Sequence, residues 1–196
     1  VDLKSVPEAP TAVIDITRAA DMNGIKLTDR GLVIGALVTH AEIMSSPEIR
    51  ERFPALADAA HTIGAVQTRS LGTLGGNLVT AVPSLDSGPT LIALEALVTI
   101  AGPGGSREIP LLEFFVGPRR TALKPGELLV DIVIPKKNLG KPAGFQKFGL
   151  RKGQALALVN TAASFWLDPA RKTFAEPCIA LDRKSTRLNS SHMSES

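Results

Sequence analysis

Cysteine is almost missing from this 196-residue chain: Cys178 is the only one. A single thiol cannot form an internal disulfide, and it cannot alone hold zinc or an iron–sulfur cluster. The chain therefore suits a reducing compartment, the cytoplasm, and cluster chemistry must belong to another polypeptide. Aromatics are scarce too, at 4% with one Trp and no Tyr, whereas proteins that read nucleic acid by stacking on its bases carry more. Neither sign of charge dominates: 22 Lys and Arg stand against 19 Asp and Glu, a formal excess of +3. The C-terminal stretch 182–196 holds Arg183, Lys184 and Arg187 against Asp182 and Glu195, and without it the excess is about +2. So small a surplus points to no nucleic acid and no anionic membrane. Nor is there a run of about 18 apolar residues, so no transmembrane segment is expected. The opening residues, Val1, Asp2, Leu3 and Lys4, show neither a methionine start nor a signal-peptide pattern, and the chain reads as beginning mid-protein.

What remains is an ordinary globular composition, 44% hydrophobic and 21% charged, enough to bury a core. The length suits one medium domain, or one domain and part of another. Residues 32–38 read as an apolar strand. Thr39 then caps a helix beginning at His40, with Glu42 placed to complete a capping box. Pro54 opens a helix running to about Ala65, and residues 89–97 read as a buried helix. Two strands, 98–101 and 107–109, flank the turn 102–105, and residues 111–115 form a short helical or turn segment. In residues 128–135, Leu128, Val130, Ile132 and Ile134 alternate onto one face of a half-buried strand. Residues 136–142 read as a polar linker and domain boundary. Strands at 143–150 and 157–167 and the start of a third at 177–181 follow. Strands and helices mixed in this way indicate an α+β fold. Residues 182–196 lack apolar periodicity and resemble the translation of a sequencing adapter; they are expected to be a non-native tail outside the fold.

The strongest chemical signal is Gly72, Thr73, Leu74, Gly75, Gly76 and Asn77. Adjacent glycines let a backbone approach a ligand, and successive free N–H groups form a nest for anionic oxygens. Thr73 adds a hydroxyl and Asn77 an amide, which together suit a diphosphate. The same glycines equally suit a tight turn wedged between helix and strand. Asp86 could serve a ligand or cap the next helix. Lys147, by pattern alone, is an exposed strand lysine. His40 and His61 fall in helices without metal-ligand spacing and read as surface or capping residues. Arg119 and Arg120 read as a solvated pair or a partner contact. No nucleotide fingerprint of the Rossmann type, no nucleophile elbow and no zinc-protease motif occurs.

Taken in order, Ile34, Gly35, Ala36 and Thr39, the 72–77 segment, Asp86, residues 93–96, Phe114 and Phe115, residues 126–129, Ile134 and Pro135, and Lys147 within residues 145–148 resemble the FAD-binding medium subunit of molybdenum hydroxylases. This is the group of xanthine dehydrogenase and aerobic carbon monoxide dehydrogenase. The resemblance runs from about residue 13 to residue 181. It implies a vanillyl-alcohol-oxidase (PCMH) type FAD-binding domain over residues 1–137, lacking its N-terminal lobe. The start of a CO dehydrogenase flavoprotein C-terminal domain follows over 143–181. The family's first Gly-rich loop would precede residue 1, so truncation at both ends is expected. By resemblance the FAD site comprises Ile63, Thr73, Leu74, Gly75, Gly76, Asn77, Asp86, Leu129 and Lys147, with no general acid or base. The implied role is electron transfer from the 2Fe-2S clusters of a small subunit, fed by a molybdopterin-binding large subunit, through FAD to NAD+ or a quinone. A single-chain flavoprotein oxidase of the same fold, or a structural module that no longer binds FAD, are the alternatives.

Overall fold

Strand β1 (Ile25–Thr28) turns back into β2 (Gly31–Gly35). Gly31 sits at φ +135°, and a Cβ there would lie 2.0 Å from the Ile134 carbonyl oxygen, so only glycine fits. The computed structural model describes residues 12–151, 154–183 and 186–192; the first residues of the chain lie outside these. After β2 come six helices: α1 (His40–Ser45), α2 (Pro47–Arg52), α3 (Pro54–His61), α4 (Val66–Leu71), α5 (Leu74–Thr80) and α6 (Ser87–Ala93). A hairpin of β3 (Leu97–Gly102) and β4 (Gly105–Pro110) leads to α7 (Leu111–Phe114), the small pair β5 (Phe115–Gly117) and β6 (Arg120–Thr121), and β7 (Leu128–Pro135). The chain ends in β8 (Ala143–Gly149), β9 (Ala157–Asp168), β10 (Thr173–Arg183) and β11 (Thr186–His192).

Two antiparallel sheets carry the architecture. One has the order β1-β2-β7-β3-β4, the other β11-β10-β9-β8. Every residue of α6 is buried; the helix packs against α3 and against β8, β9 and β10. The α+β expectation holds.

The capping box forms as the sequence predicts. The Thr39 hydroxyl accepts from the Glu42 amide at 3.2 Å, and the Glu42 carboxylate accepts from the Thr39 amide at 2.7 Å. Thr39→Ala leaves the Glu42 N–H unserved and is expected to lower stability by about 1 kcal/mol in urea unfolding. A change below a few tenths would mean that water replaces the cap without loss.

Four expectations need correction. Helix α3 stops at His61 rather than near residue 65, because Gly64 turns to φ +49°. Helix α6 runs from 87 to 93 rather than 89 to 97; Glu95 adopts φ +55° and Leu97 opens β3. In β7 the alternation breaks. A register shift opposite Thr99 and Ile100 inserts one residue, so Leu129 joins Ile132 and Ile134 in the core while Leu128 turns outward. Residues 136–142 do not behave as a linker. Asn138 is buried and donates to the Leu94 carbonyl at 2.9 Å and to Glu95 at 2.8 Å, and buried Lys141 donates to the Glu176 carbonyl at 2.8 Å.

Strand pairing also continues past residue 181. Cys178 through Leu181 of β10 pair with Asn189 through His192 of β11, and Arg183 pairs with Thr186. Missing apolar periodicity and the resemblance to a translated adapter place residues 182–196 outside the expected fold. An edge strand, however, offers its N–H and C=O groups to any extended segment, whatever that segment's side chains. Residues 193–196 lie outside the described residues.

Candidate functional site

The glycine-rich stretch is a helix start, not an open loop. Thr73 precedes α5 and its hydroxyl accepts from Gly76 N at 3.1 Å. Leu74 N donates to the Val38 carbonyl and Gly75 N to the Ala36 carbonyl, each at 2.8 Å, and Asn77 N donates to Thr73 O at 3.0 Å. The N–H groups expected to be a free anion nest are therefore taken up by the chain itself. Gly75 shows why glycine is needed: a Cβ there would meet Ala36 Cβ at 2.6 Å and Ala36 O at 2.7 Å. It seats α5 on the exit of β2. Two side-chain donors remain for an anion. The Thr73 hydroxyl still carries its proton, and Asn77, whose Oδ1 accepts from Ser87 at 2.8 Å, keeps its amide nitrogen.

Beside α5 opens a cleft of about 370 Å³ lined by Ile63, Asn77, Thr80, Leu85, Asp86 and Leu156, among others. It adjoins a second hollow of about 790 Å³ lined by His61, Arg69, Lys147, Phe148 and Arg151; Gly64, Ala65, Gln154 and Ala155 are common to both. Apolar walls with a few converging polar groups suit a small organic ligand. The cations of the second hollow favour an anionic one. Arg69 also braces the turn before α4, donating to the Ile63 carbonyl at 2.9 Å.

Asp86 and Lys147 lie together at the junction of the two hollows. Lys147 Nζ donates to Asp86 Oδ2 at 2.5 Å and to the Thr62 carbonyl at 3.1 Å. The side chains are only 9% and 10% exposed, so Lys147 is not the solvated strand lysine that its pattern suggests. Asp86 stands at the start of α6 but its side chain makes no capping bond. Its Oδ1 instead accepts from Asn160 Nδ2 at 3.1 Å. Burial pushes the Asp86 carboxyl up from its ordinary range, with Lys147, Asn160 and, least, the Thr62 side chain pulling against it.

The structure thus gathers Ile63, Asn77, Asp86 and Lys147. Leu74 and Gly75 are buried in packing, Leu129 lies in the core of the five-stranded sheet, and Thr73 and Gly76 stand at the head of α5 outside the cleft lining. Asn160 was missed, because nothing near it in sequence hints at a partner 74 residues away.

His40 corrects another expectation. It is 2% exposed, its Nδ1 has no hydrogen-bond partner, and burial with nearby Arg69 lowers its pKa to about 4. An unfolded histidine titrates near 6.5. The folded state therefore binds fewer protons between these values, and stability is full above pH 6.5 and falls as pH drops towards 4. The loss reaches about 3 kcal/mol. Urea unfolding at pH 7 and pH 4.5 should reveal the slope, and His40→Phe should flatten it; an unchanged slope in that variant would remove His40 as its source.

Among the described residues, no group of three or more His, Cys, Asp or Glu side chains could hold a metal ion, and no helix is long and apolar enough to cross a membrane. Cys178 is buried, and burial pushes its thiol pKa up.

Comparison with known proteins returns a consistent set. The family model described as FAD binding domain in molybdopterin dehydrogenase matches residues 1–137. The alpha subunit of the 6-hydroxypseudooxynicotine dehydrogenase complex of Paenarthrobacter nicotinovorans is 35% identical over 179 residues, 91% of this chain and 60% of that protein. The medium chain of carbon monoxide dehydrogenase from Hydrogenophaga pseudoflava is 35% identical, over 74% of this chain and 50% of that one. A solved structure of carbon monoxide dehydrogenase from that organism, lacking the Mo-pyranopterin moiety of its molybdenum cofactor, superposes with a TM-score of 0.87 at 30% identity. That match covers 96% of this chain and 65% of the other. Quinoline 2-oxidoreductase from Pseudomonas putida 86 gives a TM-score of 0.78 at 27% identity, over 87% and 58%. The chain spans less than two thirds of each of these proteins.

Proposed function

Since this chain belongs to the family of FAD binding domains in molybdopterin dehydrogenases, we propose that it is the FAD-holding, electron-transferring part of a molybdenum hydroxylase. The observation that carries this reading is the convergence of Ile63, Asn77 and Asp86 on one cleft, with Lys147 bonded to Asp86. In that reading Ile63 and Leu156 supply an apolar wall for a flat ring system. Asp86 offers its remaining acceptor capacity to ligand hydroxyls, and Lys147 keeps that carboxylate charged. Thr73 and Asn77 are donors for the diphosphate, a share smaller than a free glycine nest would give. Leu74, Gly75 and Leu129 support the site from behind by holding α5 and β7 in place, and the Gly76 N–H orients the Thr73 hydroxyl. When bound, FAD supplies the exchange between one-electron and two-electron carriers; the protein supplies position and field.

The partners follow from the same reading: a molybdopterin-binding large subunit, a small subunit with 2Fe-2S clusters, and NAD+ or a quinone as acceptor, in the cytoplasm. With one cysteine, buried, the chain has no means of building the clusters itself. The domain division proposed is 1–137 for FAD and 143–181 for the start of the second unit.

The test is direct. Purified chain is mixed with FAD, freed of excess by gel filtration and scanned for flavin absorbance. Retained flavin is expected, and Asp86→Asn should weaken retention about tenfold, the size of one charge-assisted hydrogen bond. A chain that retains no flavin while remaining folded would sink the reading.

A further inference from the structure

Asn160 is the residue of this site that no sequence signal marks. It lies on the face of β9 that turns towards α6, is 1% exposed, and stands in a row with Ala162 and Ser164. Its Nδ2 donates both to Asp86 Oδ1 at 3.1 Å and to the Leu85 carbonyl at 3.2 Å. Its Oδ1 is buried with no hydrogen-bond partner among the described residues. Leaving an amide oxygen unserved inside a protein is unfavourable, and an apolar side chain would avoid that penalty. What an apolar side chain could not do is hold Asp86.

We infer that Asn160 is a positioning residue, fixing the Asp86 carboxylate at the wall of the cleft by holding Oδ1 while its cross-strand partner Lys147 holds Oδ2. With Lys147 alone, the carboxylate could rotate about its last bond and still keep its ion pair. A second donor on the other oxygen fixes the plane of the group and so the direction of its remaining lone pairs. An amide does this without adding charge. Among the described residues, Lys147 from β8 pairs with Asp86, and Asp182 from β10 stands nearby, its carboxylate accepting from the neighbouring Leu85 N at 2.7 Å. A second carboxylate at position 160 would crowd that arrangement with like charge. The direction that Asn160 imposes matters for FAD only if the proposed function is right; the geometry itself does not depend on it.

Two readouts on Asn160→Leu separate these. The first is the Asp86 carboxyl titration in the flavin-free chain, followed by carbon-13 NMR and assigned with Asp86→Asn. Losing the amide donor should raise the midpoint by about one pH unit, a tenfold change in proton affinity. The second is FAD affinity. Asn160→Leu should weaken it about tenfold in the native background and leave it unchanged in the Asp86→Asn background, since the residue acts through Asp86. An unmoved Asp86 midpoint, or an undiminished affinity loss in the Asp86→Asn background, overturns the inference. If the native chain binds no FAD, the functional reading falls and the titration alone decides the role of Asn160. Should Asn160→Leu fail to fold, Asn160→Ser takes its place, and failure of both would make Asn160 a scaffold residue and end the proposal.

Discussion

Replacing Lys147 with methionine should lower stability by about 3 kcal/mol at pH 7, the range found when one partner of a buried ion pair is removed. The reason lies in what is left behind. Asp86 stays 9% exposed and loses a countercharge at 2.5 Å, while Asn160 still presents a neutral donor. A carboxylate in that position takes up a proton in preference to remaining charged. The deficit should therefore shrink as pH falls and Asp86 becomes protonated. The sign is opposite to that for His40, whose proton uptake destabilises the fold over the same direction of pH. Removing both members of the pair, Asp86→Leu with Lys147→Met, should recover most of the loss, because no uncompensated charge then remains. Urea unfolding of the two single variants and the double variant at pH 7 and pH 5 measures all of this. A Lys147→Met loss under 1 kcal/mol, or one that grows as pH falls, would show that the pair is hydrated and not held as described. Flavin retention should fail in Lys147→Met and in the double variant alike, which separates the pair's contribution to binding from its contribution to stability.

How much of this was legible in the sequence depends on how local each feature is. The capping box of Thr39 and Glu42 closes within one helical turn, and the hairpin of β3 and β4 turns on four residues; both are readable from the chain. The β7 alternation failed at Val130 because the inserted residue is set by pairing with β3, some 30 positions earlier. Helix α5 was missed because two adjacent glycines lower its propensity. It forms nonetheless because Thr73 caps it and Ala36 and Val38 accept its first N–H groups. Resemblance to a family marked Asp86 and Lys147 but not that they bind each other. Asn160, which completes their geometry, carries neither a motif nor a charge. The ion pair spans 61 positions and the amide bond 74, and single-chain periodicity reaches neither.

The close approach of α5 to β2 leads to the second large expected effect, on Gly75→Ala. By helix propensity this change should help, since alanine is favoured over glycine by about 1 kcal/mol inside a helix. Packing opposes it. The new methyl would stand 2.6 Å from Ala36 Cβ, 2.7 Å from Ala36 O and 3.0 Å from Ala36 Cα. None of these atoms belongs to a flexible side chain that could swing aside. Either the head of α5 lifts away or β2 yields, and the 2.8 Å bond from Gly75 N to Ala36 O lengthens in both cases. Overpacking of this kind costs about 1–3 kcal/mol, and with a backbone obstacle on the far side the upper end is expected, so the clash outweighs propensity. Gly76→Ala is the contrast. That residue is exposed, and its Cβ would meet only the Thr73 hydroxyl oxygen at 2.9 Å, a contact that a small rotation relieves. Its stability should stay within about 1 kcal/mol of the native chain. The functional consequence differs in the same way. Lifting α5 moves Asn77 away from Ser87 and out of the cleft wall, so Gly75→Ala should lose flavin retention along with stability, while Gly76→Ala keeps both. If thermal unfolding and gel-filtered flavin content are the same in the two variants, the tight seat of α5 on Ala36 does not govern the site.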